Sequence, residues 1–223
     1  MGVSRTHVRL FPSGTDRSGG LDGLAIAGFA AAGAALVVQA TAQLVDFWVF
    51  DLHLRALDDN TDSASNAFAW VSVVLMLATA ITYGRIAMIS TANRRLAGWI
   101  AGLLALLVVD NRVHIHDRVA HGKLLFVPIA GAVFVLLWRF SAAQTPLERL
   151  LIRGGLGFLF VSFVVHLFGH TILSWGGWHV HDWQYQLKIV IKESSEKAGW
   201  VLVLFGGLAH LRASRLRAST AHM

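Results

Sequence analysis

Histidines and carboxylates recur at helical spacing in three apolar stretches of this chain. Asp110, His114, Asp117 and His121 follow one another at three or four residues, which at 100° per residue places them within an arc of about 60°. His166 and His170 are four apart, and Glu193 and Glu196 are three apart, so each pair can present two side chains to one point. Imidazole and carboxylate together offer N and O ligands suited to zinc, iron, manganese or copper. Glutamates and histidines projecting inward from several helices also build di-metal sites in bundles. Cysteine is absent, which removes disulfides, thiolate ligands and a cysteine nucleophile.

The elements that must carry these residues are membrane helices. The chain of 223 residues is 55% hydrophobic and only 14% charged, against about 25% charged in a soluble domain. A spanning helix needs about 20 mostly apolar residues, and six segments qualify: 21–45, 66–90, 96–116, 124–140, 150–174 and 187–210. The expected fold is therefore all-α, a polytopic membrane bundle of six transmembrane helices. Residues 1–20 form an N-terminal tail, 21–211 the transmembrane domain and 212–223 a C-terminal tail. Gly98 and Gly102 form a small-xxx-small pair that would let another helix approach closely.

The formal net charge of +6 does not point to nucleic acid, because the cations sit in short segments between apolar runs. The N-terminal tail, the Arg94–Arg95 turn, the Arg139–Arg153 connection and the tail from Arg212 to Arg217 are basic, and all fall on one side. The opposite first loop is acidic, with Asp46, Asp51, Asp58, Asp59 and Asp62 against Arg55. The positive-inside rule then places both termini in the cytoplasm of a multi-pass protein of the cell membrane. Trp99 and Trp138 fall at the inner interface, and Trp48, Trp70, Trp175, Trp178 and Trp183 at the outer one, as aromatic belts do. The expected partners are the lipid bilayer and a homo-oligomer or membrane complex.

Ionisable residues inside a span cost about 2.5–3.5 kcal/mol each on insertion scales, so they mark function or tight pairing. At 1.5 Å per residue from the cytoplasmic boundary, Asp110 lies roughly 22 Å deep and Asp117 roughly 33 Å. On the same rise His166 and His170 lie roughly 20 and 26 Å deep, and Glu196 and Glu193 roughly 24 and 28 Å. Three helices thus bring their polar groups to one layer of the outer leaflet. Each group also has a structural reading. Asp110 and Asp117 can be satisfied by Arg112, Arg118 or Lys123. Glu193 with Lys197, and Lys192 with Glu196, are i,i+4 ion pairs, and His166 with His170 is a packing pair. His179, His181 and Asp182 fall in the outer loop, solvated or as a lid.

The stretch Asp110-Asn111-Arg112-Val113-His114-Ile115-His116-Asp117 resembles a pattern in uncharacterised bacterial multispan membrane proteins. In these an acidic pair ending one span is followed a few residues later by His-Glu. Lys192-Glu193-Ser194-Ser195-Glu196-Lys197-Ala198-Gly199 is similar to their Glu-Glu-x-x-Glu-x-x-Gly element. The resemblance implies roles for Asp110, His116, Asp117, Glu193, Glu196 and Gly199, and Asn111 and Lys192 depart from it by replacing acids. It favours His116, whereas the helical face favours His114.

Two functions compete on these residues. One is a divalent metal held by Asp110, His114 or His116, Asp117, His166, His170, Glu193 and Glu196. Such a metal would lower the pKa of a bound water for a membrane enzyme acting on a lipid-like or small apolar substrate. The alternative is a proton- or ion-coupled carrier, for which chains of Asp, Glu and His are the expected equipment. Its mark would be a polar path continuing to the cytoplasmic side; the inner halves of the first, third, fifth and sixth spans are apolar apart from residues such as Gln39 and Ser162, which counts against a through-pathway and leaves a half-channel. A haem carrier would need a ligand beyond His166 and His170, which share one face, and a structural subunit would use the charges only to fix helix register.

Overall fold

The computed structural model describes residues 18–51, 67–113, 122–179 and 181–220. They form six helices and, among the described residues, no strand: α1 Ser18–Val49, α2 Ala67–Ile89, α3 Arg94–Val113, α4 Gly122–Ala142, α5 Pro146–Gly176 and α6 Trp183–Thr220. Three stretches, Gly23–Val49, Phe68–Ile89 and Pro146–Gly176, are long and apolar enough to cross a membrane. Val127–Ala142 is a shorter apolar helix.

The helix ends follow local chemistry. α5 begins four residues earlier than its apolar run because Thr145 and Glu148 form a capping box. The Thr145 hydroxyl accepts from the Glu148 amide at 3.4 Å, and a Glu148 carboxylate oxygen accepts from the Thr145 amide at 3.2 Å. Pro146 then occupies the first turn, where its missing N–H costs nothing. The helix stops at Gly177, whose φ of 68° is the left-handed cap conformation that glycine adopts without a Cβ penalty. α1 runs four residues beyond its expected end, so Asp46 is a helical residue and not part of the first loop. α6 continues through Arg212 to Thr220, so most of the basic tail is helix.

α6 is the central helix. It packs against α5, α1 and α2, while α3 packs on α2 and α4, and α5 also touches α4 and α1. The closest approach is between α5 and α6. A Cβ added at Gly155 would lie 2.7 Å from the Gly199 carbonyl, and one at Gly199 would lie 2.9 Å from the Gly155 carbonyl. A Cβ at Gly206 would sit 2.6 Å from the Ile152 side chain. These glycines let two backbones meet, the role expected of Gly98 and Gly102. That expectation is corrected. A Cβ at Gly98 meets only Ala87 at 3.9 Å, and one at Gly102 meets nothing within 4 Å. The reason is that α3 faces α2 at ordinary side-chain distance, whereas α5 and α6 meet backbone to backbone at Gly155 and Gly199.

The main core cluster joins Met76, Tyr83, Ile100, Leu104, Leu137, Phe140, Leu156, Leu159, Trp200 and Val203 from five helices. Outside it, long stretches of the apolar helices face outward, including Ile26, Val37, Val74, Ile81, Val135, Phe160 and Ile172. A water-soluble domain rarely exposes such a continuous apolar surface, and hydrocarbon is its natural solvent. Trp99 and Trp138 at one end, and Trp48, Trp70, Trp175, Trp178 and Trp183 at the other, are all exposed, whereas Trp200 is buried.

Candidate ionic site on the central helix

α6 carries Lys192, Glu193, Glu196 and Lys197 within two turns. Glu193 and Lys197 are only 5% and 2% exposed. Lys197 Nζ donates to Glu193 Oε2 at 3.0 Å, and Lys192 Nζ lies 2.6 Å from Glu193 Oε1. Each oxygen of the carboxylate thus faces its own ammonium. The Lys197 ammonium also stands 5.7 Å over the Phe68 ring of α2, a cation–π contact that is strongest when desolvated. Glu196 is half-buried opposite Ser72 of α2, with Glu193, Lys192 and Lys197 as its charged neighbours. Burying such ions is tolerable only because they are paired.

α1 contributes a polar stripe. Gln39, Gln43 and Asp46, at i, i+4 and i+7, are each at most 1% exposed, and that spacing puts them on one face. Gln43 Nε2 donates to Gln186 Oε1 of α6 at 2.8 Å. Among the described residues, neither polar atom of the Gln39 amide has a hydrogen-bond partner, nor does Gln43 Oε1. Buried amides in that state are places where a water or a polar ligand is expected.

A second buried polar group lies at the other end of the bundle. Tyr83 of α2, Glu148 of α5 and His210 of α6 are all buried there beside Phe140 of α4. Thr79 and Thr82 of α2 are buried as well, each hydroxyl donating to a carbonyl one turn back.

The residues expected to converge do so only in part. Glu193 and Glu196 share α6 and face the core. Asp110 is buried in the last turns of α3. His166 and His170 lie on α5 as expected but are exposed. The buried stripe of α5 runs through Glu148, Leu151, Ile152, Gly155, Leu156, Leu159, Ser162, Gly169 and Leu173, and His170 is one residue off it. At Gly169 the surface of α5 is covered by the Lys188 side chain, which a Cβ would meet at 3.1 Å. His114, His116, Asp117 and His121 lie outside the described residues. Among the described residues, no group of three or more His, Asp or Glu is placed to hold a metal ion. In the turn between α5 and α6, the Asp182 carboxylate accepts from the His179 amide at 2.6 Å, just before α6 starts.

The residues not anticipated are Gln43, Gln186, Tyr83, Glu148 and His210. The first was legible as Gln39-x3-Gln43-x2-Asp46, a polar repeat at helical spacing inside an apolar run. Glu148 and His210 carry no such local signal, because only the tertiary fold brings them together. No family model, curated protein or solved structure matches the chain.

Proposed function

We propose that this chain is a six-span protein of the cell membrane, with both termini in the cytoplasm, that works as a proton-coupled carrier of a small polar solute. The observation that carries this reading is the distribution of buried protonatable groups along α6. The Glu193–Lys197 pair occupies one half, and His210 with Glu148 occupies the other. The two lie about 20 Å apart at 1.5 Å per residue. Between them is apolar packing around Trp200, Val201, Leu202 and Val203. Buried acids and a histidine distributed along a span are the equipment of proton relays. The inner half is not bare, as a purely outer-leaflet metal site would leave it. The unsatisfied amide of Gln39 and the carbonyl of Gln43, facing into the α1–α6 layer, are the groups offered to the solute. The test is proton entry into proteoliposomes holding the purified protein, compared with protein-free vesicles.

The membrane arrangement is checked separately. The chain contains no cysteine, so single cysteines report without background. Ser90→Cys, in the turn after α2, should react with an impermeant maleimide only after the cells are opened. Ser174→Cys, exposed in the last turn of α5, should react in intact cells. The reverse pattern overturns the orientation.

A second reading places a divalent metal in the outer layer, with zinc, iron, manganese or copper held by Asp110, His114 or His116, Asp117, His166, His170, Glu193 and Glu196. Asp110 favours it, because it is a buried acid that ends α3 immediately before the 114–117 stretch. The two lysines on Glu193 weigh against it, since a cation there would replace ammonium groups already seated. Elemental analysis of detergent-purified protein should find less than one metal per chain if the carrier reading holds. Stoichiometric metal lost on Asp110→Ala would reverse the order of the two.

A further inference from the structure

The buried group at the end of the bundle that holds the α2–α3 and α4–α5 turns is arranged as a line. His210 Nδ1 lies 3.7 Å from Glu148 Oε2, and its other nitrogen, Nε2, lies 3.4 Å from Ser214 Oγ. Ser214 is half-buried one turn further along α6 towards its exposed end. The imidazole is held edge-to-face on Phe140 at 5.2 Å, and Phe140 is held in the same way on Tyr83 at 5.1 Å. Tyr83 Oη is buried within electrostatic reach of Glu148. Among the described residues, Tyr83 Oη, Glu148 Oε1 and His210 Nδ1 have no hydrogen-bond partner. The two cations of the first turns of α5 are turned elsewhere. Arg149 donates to the carbonyls of Ala142 and Gln144, and Arg153 donates to Ser141 Oγ with its guanidinium 4.2 Å over Trp138. Around His210, then, α2 supplies Tyr83, α4 Phe140, α5 Glu148 and α6 Ser214.

We propose that His210 is a proton relay between the aqueous surface at Ser214 and the buried carboxylate of Glu148. A histidine can accept on one ring nitrogen while releasing from the other. A proton from a hydronium ion on the Ser214 side bonds to the lone pair of Nε2, leaving water. The Nδ1–H bond breaks, its electron pair stays on Nδ1, and that proton bonds to Glu148 Oε2. The net change is one hydronium and one carboxylate converted to water and a carboxylic acid, with the imidazole neutral before and after in opposite tautomers. The 3.7 Å gap is an ion-pair distance, and transfer requires it to close to about 3 Å, which a small rotation of either side chain supplies. The use of the relay in transport rests on the carrier reading. Its existence does not.

Nitrogen NMR of 15N-histidine-labelled protein in lipid nanodiscs tests this without any transport assay, with His210→Gln identifying the signal. Glu148→Gln is the informative variant, because glutamine also serves in a capping box and leaves the helix start intact. In the wild type the proton should exchange between the two ring nitrogens of His210, and Glu148→Gln, which leaves no carboxylate to take the Nδ1 proton, should abolish that exchange. Ser214→Ala should slow proton exchange at Nε2. Tautomer exchange unchanged by Glu148→Gln, or a His210 fixed in one tautomer in the wild type, overturns the relay. If Glu148→Gln does not fold, Ser214→Ala decides alone: unaltered exchange at Nε2 overturns the proposal. Absence of proton entry with tautomer exchange at His210 intact would sink the carrier reading and leave the relay standing.

Discussion

Gly199→Val should prevent recovery of a monodisperse protein, or lower its thermal midpoint sharply. The first atom of any side chain there would sit 2.6 Å from Leu159 Cγ and 2.9 Å from the Gly155 carbonyl oxygen. Leu159 can shift, but the backbone of α5 cannot move without pulling Glu148 and its capping box with it. Overpacking a filled core costs about 1–3 kcal/mol, occasionally more, and a backbone clash at the tightest helix crossing belongs at the top of that range. Gly102→Val, with open space around the position, is the control and should change the midpoint little. Size-exclusion profiles and tryptophan-fluorescence melts of the two variants check the contrast. Equal destabilisation at both positions would show that the α5–α6 contact does not hold the bundle together.

The second large effect is electrostatic. Lys197→Met should destabilise by about 3 kcal/mol, because it removes one partner of a buried pair and leaves Glu193 short of a cation. The loss falls below the upper end of the range for broken buried pairs because Lys192 remains 2.6 Å from the other oxygen. The double variant Glu193→Gln with Lys197→Met should recover most of the stability, since apolar or neutral replacements of a buried ion pair are often neutral or better. A double-mutant cycle on thermal midpoints measures this coupling. Additive losses would mean that the 3.0 Å contact contributes no stability, and the pair would then be held apart by lipid headgroups or water.

The sequence read well where one helix decides the outcome. The all-α class, the apolar helices and the shared faces of His166 with His170 and Glu193 with Glu196 follow from a period of 3.6 residues. So does the Glu193–Lys197 pairing. Depth estimates along straight helices were not enough to assemble a site. They treat each helix as covered on its inward face along its whole length, yet His166 and His170 are exposed, although on a straight helix they fall about 20° and 60° from the Gly155 direction that faces α6. The stripe Gln39, Gln43 and Asp46 was legible by spacing but fell partly in what read as a loop, because Asp46 follows the last long apolar run. Glu148 reads from sequence as part of a basic connection and His210 as a span boundary. Their proximity depends on α5 starting, and α6 ending, at the same end of the bundle. The close crossing was assigned to Gly98 and Gly102 because small-xxx-small spacing is a local pattern, whereas the real contact pairs single glycines from different helices.

The most direct test of the account is proton entry into proteoliposomes under an imposed inward pH gradient, read by a trapped pH-sensitive dye, for the wild-type chain and for Glu193→Gln. The account predicts acidification faster than in protein-free vesicles for the wild type. Glu193→Gln, reconstituted in equal amount and folded by the same fluorescence criterion, should return to the protein-free rate. A wild-type rate no faster than empty vesicles, or a Glu193→Gln rate equal to wild type, would contradict it.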